Sequence, residues 1–244
     1  MVLAGEVSPS FPPDNLTPAS GKNGNGYQPK AGRPLAYPLE MMDTGAGTVS
    51  FWVRLDGAST AAQGLPLLSS GSPPNTWFYL FLDKGRLGVL FQKGVKPFTG
   101  LGEFYLNNSV DVADWAAGSW HHVAFSWVAA GPGESVFSLT LDGKVREEKS
   151  NVSLAGGSPL ESVTVGANSA RRDSVATSVT LDELKIWNLP LRASQVQEVK
   201  EGKDPEAGSL VLSVDFERGL AGTSSASLSP DLSRPETLAA RFKQ

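Results

Sequence analysis

The feature that most constrains this 244-residue chain is a series of short apolar runs separated by turn-forming residues. From Gly47 onward, β-branched, aromatic and aliphatic runs alternate with clusters of Gly, Asp, Asn, Ser and Pro at intervals of roughly 8 to 12 residues. That spacing is typical of antiparallel sandwiches and barrels. We predict eleven strands: GTVSFWVRL, LPLLSS, TWFYLFL, RLGVLFQ, EFYL, WHHVAFSWV, SVFSLTL, KVREEK, SVTVGA, SVTLDELKIW and LVLSVDF.

The runs also show the two-residue period of a strand with one buried face. Val49, Phe51 and Val53 alternate with Ser50 and Trp52, which places the first three on one face of the strand. Strands of this kind bury their apolar faces against each other. With little helix in the pattern, they predict two packed antiparallel sheets in a jelly-roll sandwich, an all-β fold.

Two turns and one helix complete the local predictions. Asp83-Lys84-Gly85-Arg86 and Asp142-Gly143-Lys144 each place glycine where a tight hairpin needs a positive φ. The segment RASQVQEVKEG spaces its valines three apart and ends in glycine, so it predicts one short helix near 192–201.

Composition excludes several classes of protein. The chain has no cysteine, so it contains neither disulfides nor a Cys-ligated metal. Its formal charge of -4, without a Lys/Arg cluster, argues against a nucleic-acid partner. We find no run long enough to span a membrane, and MVLAGEVSPSFPPDN lacks the features of a secretion signal. Two origins fit these observations: a mature fragment of an exported protein, or a protein such as a virion component that never crosses a membrane.

A resemblance emerges from the order of several motifs over about residues 20 to 200. GKNGNGYQP, GTVSFWVRLDG, GSWHHVAFSWV, FSLTLDGKV, SVTVGAN and VTLDELKIWNLPLRASQV follow one another as in the laminin G-like, concanavalin A-like lectin/glucanase superfamily. The resemblance implies a jelly-roll fold. One departure is that Arg192 and Gln195 stand where relatives usually carry Ser or Thr and Glu, so half of the helix capping box is lost.

We divide the chain into three parts. Residues 1–46, which are rich in Pro, Gly and Asn, are expected to form an irregular, turn-rich wrap with one short strand at most. Residues 47–220 form the sandwich, and residues 221–244 are a Ser-rich tail. The segment LVLSVDFERGL at 210–220 either adds the final strand to the same sheet, which we favour, or begins another domain.

Both histidines of the chain are adjacent, in SWHHVAFSW. Neighbouring residues of a strand point to opposite faces, so His121 and His122 are not expected to share a metal. We interpret them as parts of the scaffold and predict neither a catalytic residue nor a metal site.

A glycoside hydrolase on this fold needs two carboxylates converging on one cleft. The closest candidates, Asp182 and Glu183 in LDELKIW, are adjacent and are expected to point to opposite faces. We place Asp182 on the face of Leu184 and Ile186, where it accepts hydrogen bonds at a buried edge. The chain is therefore predicted not to be an enzyme.

Aromatic residues are the best candidates for ligand contacts. In TWFYLFL both faces of the strand are apolar, so Trp77 and Tyr79 line either a groove or the core. Trp115 lies in a polar loop and is the tryptophan that we expect to be exposed. The remaining strand tryptophans are predicted to be core residues: Trp52, Trp120, Trp127 and Trp187.

Two polar segments supply further candidates. Arg171, Arg172 and Asp173 lie in GANSARRDSVATS, which we interpret as a loop able to orient a glycan or an acidic partner. No cofactor is expected, but NNSVDVADW offers calcium-type oxygen ligands without the spacing of a calcium loop. The alternative is an ordinary polar turn. The oxygen-bearing residues of this stretch are Asn107, Asn108, Asp111 and Asp114.

The sequence thus predicts a non-catalytic recognition or adhesion module that binds a glycan or a protein surface through loops and exposed aromatics at one edge or on the concave face. Its expected location is extracellular or at the cell surface. The alternative is a structural or decoration protein of a virion or surface layer, with self-assembly in place of a soluble ligand, and a polysaccharide-degrading enzyme comes third. These functions rest partly on analogy of fold.

Overall fold

A computed structural model describes residues 5–10, 19–30, 34–71, 77–93, 103–131, 134–150, 159–169, 171–227 and 239–240. These residues contain one α-helix, α1 (Ala193–Lys200), and short 3-10 turns at Ser59–Ala61 and Ala207–Ser209. The strands are β1 (Gly5–Val7), β2 (Ala19–Ser20), β3 (Asn25–Gly26), β4 (Leu35–Pro38), β5 (Ala46–Leu55), β6 (Leu65–Ser70), β7 (Trp77–Asp83), β8 (Arg86–Lys93), β9 (Glu103–Asp111), β10 (Trp120–Gly131), β11 (Glu134–Leu141), β12 (Lys144–Ser150), β13 (Ser162–Val165), β14 (Ala167–Asn168), β15 (Arg171–Val175), β16 (Val179–Trp187), β17 (Leu210–Val214) and β18 (Gly222–Ser224).

Two antiparallel sheets form the body of the protein. The larger sheet has eight strands in the order β1-β18-β17-β16-β5-β10-β11-β12, and the smaller has six in the order β4-β13-β6-β7-β8-β9. Two further pairs, β14-β15 and β2-β3, stand beside them. The predicted fold class, an all-β jelly-roll sandwich with one short helix, is confirmed.

The core lies between the two sheets and contains a cluster of aromatic rings. Phe78 and Phe91 from the smaller sheet meet Phe125, Trp127 and Phe137 from the larger one, with ring centroids 5.2 to 5.9 Å apart. All five rings are buried. Because side chains alternate along a strand, the residues between these rings point to the outer face of their sheet.

The two predicted hairpin turns are confirmed. Lys84 and Gly85 have φ values of 48° and 76°, and Asp142 and Gly143 have 49° and 86°. Two consecutive residues with positive φ are the signature of a type I′ turn, whose twist matches that of the strands. These turns fix the pairing of β7 with β8 and of β11 with β12.

Helix α1 lies against the outer face of the larger sheet. Its buried residues Val196 and Val199 pack with Ala124 of β10 and Trp187 of β16. The indole Nε1 of Trp187 donates to the Pro205 carbonyl at 2.9 Å, which holds the chain that follows the helix. The outer face of this sheet therefore has a second, smaller core of its own.

The start of α1 retains half of a capping box, as the sequence predicted. The backbone N–H of Arg192 donates to Oε1 of Gln195 at 3.0 Å. The reciprocal side-chain acceptor is missing because an arginine side chain only donates. The residue before the cap is held by the sheet, since Oγ1 of Thr48 accepts the Leu191 N–H at 2.8 Å.

Segments near both ends of the chain add strands to the larger sheet. Leu210–Val214 (β17) pairs with β16, so this segment belongs to the same sheet as the body of the sandwich. Residues Gly222–Ser224 (β18) pair with β17 and with β1. Among the described residues, no helix has the length and apolar character needed to cross a bilayer.

Candidate functional site

The outer face of the smaller sheet carries partly exposed aromatic rings. In β7, Phe78, Leu80 and Leu82 are buried in the core, whereas Tyr79 and Phe81 point away from it and are only partly buried. The Tyr79 and Phe81 rings are nearly parallel, with an interplanar angle of 16° and centroids 4.9 Å apart. The two rings stack on each other and form a partly exposed apolar platform along the strand.

Glycine in the neighbouring strand makes room for this platform. Phe81 is paired with Gly88 of β8, and Tyr79 with the partly exposed Leu90. A Cβ at Gly88 would lie 2.4 Å from Cζ of Phe81, so the ring lies directly over the glycine. Glycine inside a strand often marks such a close approach. We call Tyr79, Phe81, Gly88 and Leu90 the aromatic surface.

The β14–β15 hairpin borders the aromatic surface. Ser69 of β6 pairs with Tyr79, and paired residues point to the same face of a sheet. The Ser69 Oγ donates to the Ala167 carbonyl at 2.9 Å and accepts the Ser169 N–H at 2.7 Å. These bonds attach the hairpin to the sheet next to the Tyr79 ring.

The predicted loop residues Arg171, Arg172 and Asp173 lie in this hairpin. They form the beginning of β15, so the prediction that this segment is a loop is wrong. The period of two was obscured because charged residues occupy consecutive positions. Their side chains lie outside the described part of the structure, and their ligand-binding role stays a prediction. The backbone nevertheless brings them to the same side of the molecule as Tyr79.

Trp77 begins β7 and is in register with Gln92 of β8. Its side chain also lies outside the described part of the structure. The prediction that this strand presents an apolar outer face therefore depends on Tyr79 and Phe81. Sequence analysis named Tyr79 but not Phe81, although Phe81 lies two residues further along and has the same partial exposure.

Trp115 is not exposed, contrary to the sequence-based expectation. Only 5% of the residue is accessible, and its ring is parallel to that of His121, with centroids 4.2 Å apart and an angle of 2°. It belongs to the main core. A polar loop surrounds it in sequence, but the contact that buries it comes from β10. Trp115 consequently has no open face on which a sugar ring would stack.

The other tryptophans divide into two kinds. Trp127 and Trp187 are fully buried, which confirms that prediction. Trp52 and Trp120 are only partly buried, so for them the prediction of core positions is wrong. Both lie on the outer face of the larger sheet, where a lysine or arginine side chain lies over each ring.

Two cation–π contacts cover these rings. The Lys22 ammonium lies 4.7 Å from the Trp52 ring centroid, and the Arg54 guanidinium lies 5.1 Å from that of Trp120. The rings of Trp52 and Trp120 are thus each in contact with a charged group of the protein, whereas the smaller sheet has two partly exposed rings, Tyr79 and Phe81, on its outer face. We therefore regard the smaller sheet as the better location for a ligand.

The two histidines point to opposite faces of β10 and do not cooperate, as predicted. His121 Nδ1 lies 2.7 Å from Oδ2 of Asp142. His122 Nε2 lies 2.9 Å from the Ser50 hydroxyl on the other side of the sheet. Asp142 also accepts the His122 backbone N–H at 2.7 Å. This carboxylate therefore fixes the start of β10 to the β11–β12 turn.

The carboxylates of LDELKIW hold a turn. Both Lys22 N–H and Asn23 N–H donate to Oδ2 of Asp182, at 2.7 and 3.1 Å, and the Glu183 N–H donates to Oδ1 at 2.8 Å. The Asn23 side-chain amide donates to Oε1 of Glu183 at 3.2 Å. The predicted role of Asp182 as an acceptor is confirmed.

The faces assigned to these two residues are nevertheless wrong. A β-bulge interrupts the β16–β5 pairing between Asp182 and Lys185, and Glu183 has a φ of 50°. The extra residue places Leu184 in the core and Asp182 on the outer face, opposite Trp52. Both carboxylates therefore reach the same turn, which strict alternation did not predict.

Burial changes the titration of Asp182. The residue is fully buried, and this desolvation raises the pKa of its carboxyl to about 6, against the opposing effect of the backbone N–H groups of Asn23, Glu183 and Lys22. The charge of Glu183 raises the pKa further. The carboxylate of Asp182 therefore stabilises the turn at residues 21–26.

Metal ligation receives no support from the described residues, which contain no group of three or more His, Cys, Asp or Glu side chains arranged around a common point. In the predicted calcium stretch, Oδ1 of Asp111 accepts the Ala113 N–H at 2.8 Å, as in an ordinary turn. The side chains of Asn107 and Asn108 lie outside the described part of the structure. Calcium binding stays a prediction.

One known protein family matches most of the sandwich. A laminin G-like family model, described as the concanavalin A-like lectin/glucanases superfamily, matches residues 30–197, which is more than half of the chain. The chain belongs to this superfamily. The resemblance inferred from the order of motifs is thereby confirmed. Among curated proteins, no sequence matches this one.

Solved structures show the same concanavalin A-like fold at low sequence identity. The binding domain of botulinum neurotoxin serotype D is 13% identical with a TM-score of 0.60, over 81% of this chain and 47% of that one. Tailspike protein 2 of Escherichia coli O157:H7 bacteriophage CAB120 is 16% identical with a TM-score of 0.56, over 87% of this chain and 30% of that one. The chain spans less than half the length of the neurotoxin domains that it matches.

A third structure matches over most of both chains. Domain 4 of AbnA, an extracellular GH43 arabinanase of Geobacillus stearothermophilus, was solved in complex with arabinotriose. It is 21% identical with a TM-score of 0.50, over 77% of this chain and 82% of that domain. Likenesses at this level of identity establish the fold of this superfamily member and leave its ligand to be inferred from its own residues.

Proposed function

We propose that this protein is a non-catalytic recognition module that binds a glycan on the aromatic surface. The observation that carries the proposal is the pair of parallel, partly exposed rings of Tyr79 and Phe81 on the outer face of the smaller sheet. Exposed apolar patches on a domain of this kind usually mark binding sites, and a sugar ring presents a flat apolar face to such a platform.

The border of the aromatic surface supplies polar groups. The β14–β15 hairpin, attached through Ser69, carries Arg171, Arg172 and Asp173 to the neighbourhood of Tyr79. Charged side chains at the edge of an apolar platform orient hydroxyl and carboxylate groups of a ligand. A protein surface with an exposed apolar residue fits the same platform and is the second ligand class to test.

Comparison with the similar structures agrees with a binding role outside the cell. The similar structures are a neurotoxin binding domain, a phage tailspike and an arabinanase domain in complex with arabinotriose. We therefore propose an extracellular, cell-surface or virion location. A structural role in a virion or surface layer is the alternative. Symmetric oligomers in light scattering after gentle purification would support that alternative.

The test is a glycan array probed with the wild-type protein and with Trp77→Ala and Tyr79→Ala variants. We expect Tyr79→Ala to weaken binding by roughly tenfold or more, because buried aromatic anchors dominate affinity at such sites. Trp120→Ala is the matched control, since it removes a partly buried ring from the outer face of the opposite sheet. Equal binding by all four proteins would exclude the aromatic surface.

The same array also tests the predicted calcium-binding stretch from Asn107 to Asp114. The array is run with calcium and with a chelator. If glycan binding requires calcium, an Asp114→Ala variant should no longer respond to calcium, whereas the residual binding of Tyr79→Ala should still depend on it. That result would locate the ion in the stretch from Asn107 to Asp114. Binding that is unchanged by the chelator removes calcium from the proposed site.

A further inference from the structure

A polar pocket lies on the outer face of the larger sheet, on the side of the molecule opposite the aromatic surface. It has a volume of about 180 Å³ and is bounded by β5, β10, the β16 bulge, the turn at residues 21–26 and the C-terminal end of α1. The side chains relevant to ligand binding are Lys22, Asn23, Trp52, His122, Glu183 and Lys200.

His122 is the buried polar group of this pocket. It is 1% exposed, its Nε2 lies 2.9 Å from the Ser50 hydroxyl, and its Nδ1 is buried without a hydrogen-bonding partner among the described residues. A buried polar atom without a partner is costly and rare in folded proteins. An unpaired imidazole nitrogen at the floor of a pocket is therefore a reason to look for a ligand.

The Ser50 contact indicates which nitrogen carries the proton. Ser50 is buried, and the His122 ring is the acceptor that its hydroxyl has among the described residues. If the hydroxyl donates to Nε2, that nitrogen bears no hydrogen and Nδ1 carries the N–H. Burial, with the charge of Lys200 adding to it, lowers the pKa of His122 to about 4, so the ring is neutral near pH 7. In that tautomer, the Nδ1–H of His122 is a hydrogen-bond donor without a partner among the described residues.

Two ammonium groups accompany this donor. Lys22 lies over the Trp52 ring, and Nζ of Lys200 donates to the Asp142 carbonyl at 3.3 Å. Neither forms an ion pair with a described carboxylate, whereas the third lysine of the pocket, Lys185, is paired with Asp204 at 2.5 Å. Of the two carboxylates in the lining, Glu201 is paired with Lys203, so the ammonium groups of Lys22 and Lys200 stand against the single carboxylate of Glu183. The pocket therefore combines a net positive charge with the imidazole of His122.

We propose that this pocket binds one acidic sugar residue, of the uronic acid class, or a hydroxylated carboxylate of similar size. The carboxylate accepts hydrogen bonds from Lys200, Lys22 and the His122 Nδ1–H, and the hydroxyls contact Asn23 and the Glu183 carboxylate at the rim. A cavity of about 150 Å³ holds a six-membered ring, so this volume matches one ring and not an extended chain. The proposal is independent of the aromatic surface.

The experiment is a titration of the intact protein with D-glucuronate and, as the uncharged counterpart, D-glucose, followed by calorimetry or ligand-observed NMR. We expect glucuronate to bind and glucose to bind at least about tenfold more weakly, because hydrogen bonds to charged groups distinguish the two sugars. Equal affinity for both sugars, or no binding of either up to about 50 mM, would overturn the proposal.

Three variants assign the binding to this pocket. Lys200→Gln lies at a partly exposed position and should weaken glucuronate binding by about tenfold, whereas Lys84→Gln, at an exposed lysine of the β7–β8 turn in the other sheet, should not. His122→Gln should abolish binding and is interpreted only if its thermal unfolding remains cooperative. If Lys200→Gln binds like the wild type, the proposal is wrong.

A Tyr79→Ala variant separates this proposal from the one made for the smaller sheet. It should bind glucuronate with unchanged affinity, because Tyr79 lies on the opposite face of the sandwich. Loss of glucuronate binding in Tyr79→Ala would mean that the sugar occupies the aromatic surface instead, which contradicts the pocket.

Discussion

The outer faces of the two sheets differ in how they are covered. On the larger sheet, helix α1 and the turn at residues 21–26 enclose polar groups such as Ser50, His122 and Asp182. On the smaller sheet, the outward-facing rings of Tyr79 and Phe81 stay partly exposed. One face has polar groups buried, and the other has apolar groups accessible. This is the reverse of what solvent exposure alone would favour.

This difference predicts different effects of substitutions on the two faces. Polar groups on the covered face hold the helix and the turn in place, so their removal should affect stability more than it affects glycan binding on the aromatic surface. Rings on the open face contribute little to the core and are therefore available to a ligand. Substitutions that act on one face at a time test this difference between the two sheets.

The largest effect is expected for Trp187→Ala. The ring is fully buried beneath α1, and its removal should lower the free energy of unfolding by about 3–5 kcal/mol, while glycan binding by the folded fraction is unchanged. Urea denaturation measures the change. Trp120→Ala, on the same face but only partly buried, is the matched control and should cost much less. Equal losses would show that the face is uniformly covered.

Much of this architecture could be predicted from the sequence, for local reasons. The period of two and the glycine-containing turns reside in consecutive residues, so the body strands and both hairpins were predicted. The bulge at Glu183 was not, because an inserted residue leaves the apolar pattern of LDELKIW looking regular. The β15 strand was missed because charged residues mask its alternation.

The candidate site was less predictable because it depends on contacts between distant segments. Trp115 appears exposed from its polar neighbours, yet its stacking on His121 buries it. Tyr79 was named as a candidate for either a groove or the core, because the sequence pattern of a strand that is apolar on both sides does not show which side packs on the other sheet. Its role in binding stays a prediction. Helix α1 packs on the larger sheet, whereas Tyr79 and Phe81 of the smaller sheet stay partly exposed.

The second prediction uses the opposite titration of two buried groups on the covered face. The pKa of His122 is lowered to about 4, so the unfolded chain binds more protons than the folded one between this value and the ordinary 6.5. Acidification through that range should remove about 3 kcal/mol of stability. The pKa of Asp182 is raised to about 6, so its contribution has the opposite sign, and stability falls as pH rises from about 4 to 6.

In the wild type these contributions offset each other, and the single variants should reveal them. As the pH falls from 7 to about 4, the free energy of unfolding of His122→Gln should rise by about 3 kcal/mol relative to that of the wild type. That of Asp182→Asn should fall by a similar amount relative to the wild type. The measurement is urea denaturation at a series of pH values. If the free energies of unfolding of the two variants change with pH in the same way, neither group is desolvated in the folded protein.

The third prediction concerns the open face. In Gly88→Ala the new methyl group would lie 2.4 Å from Cζ of Phe81, so the ring must move. Because this ring is partly exposed, we expect a loss of only about 1 kcal/mol in stability, together with weaker glycan binding. Gly57→Ala, where the methyl group meets no atom within 4 Å, is the control. Unchanged binding in Gly88→Ala would indicate that the platform is not used.

The smallest effect is expected where the larger sheet is not covered by α1. Arg54 lies over the Trp120 ring at 5.1 Å, and a double-mutant cycle of Arg54→Ala and Trp120→Ala measures their coupling. A solvated cation–π contact contributes about 0.5–1 kcal/mol, so we expect a coupling energy of that size. A coupling of about 2 kcal/mol or more would mean that this contact is desolvated. The covered face would then extend beyond the helix and the turn, and the contrast with the smaller sheet would hold over the whole of the larger one.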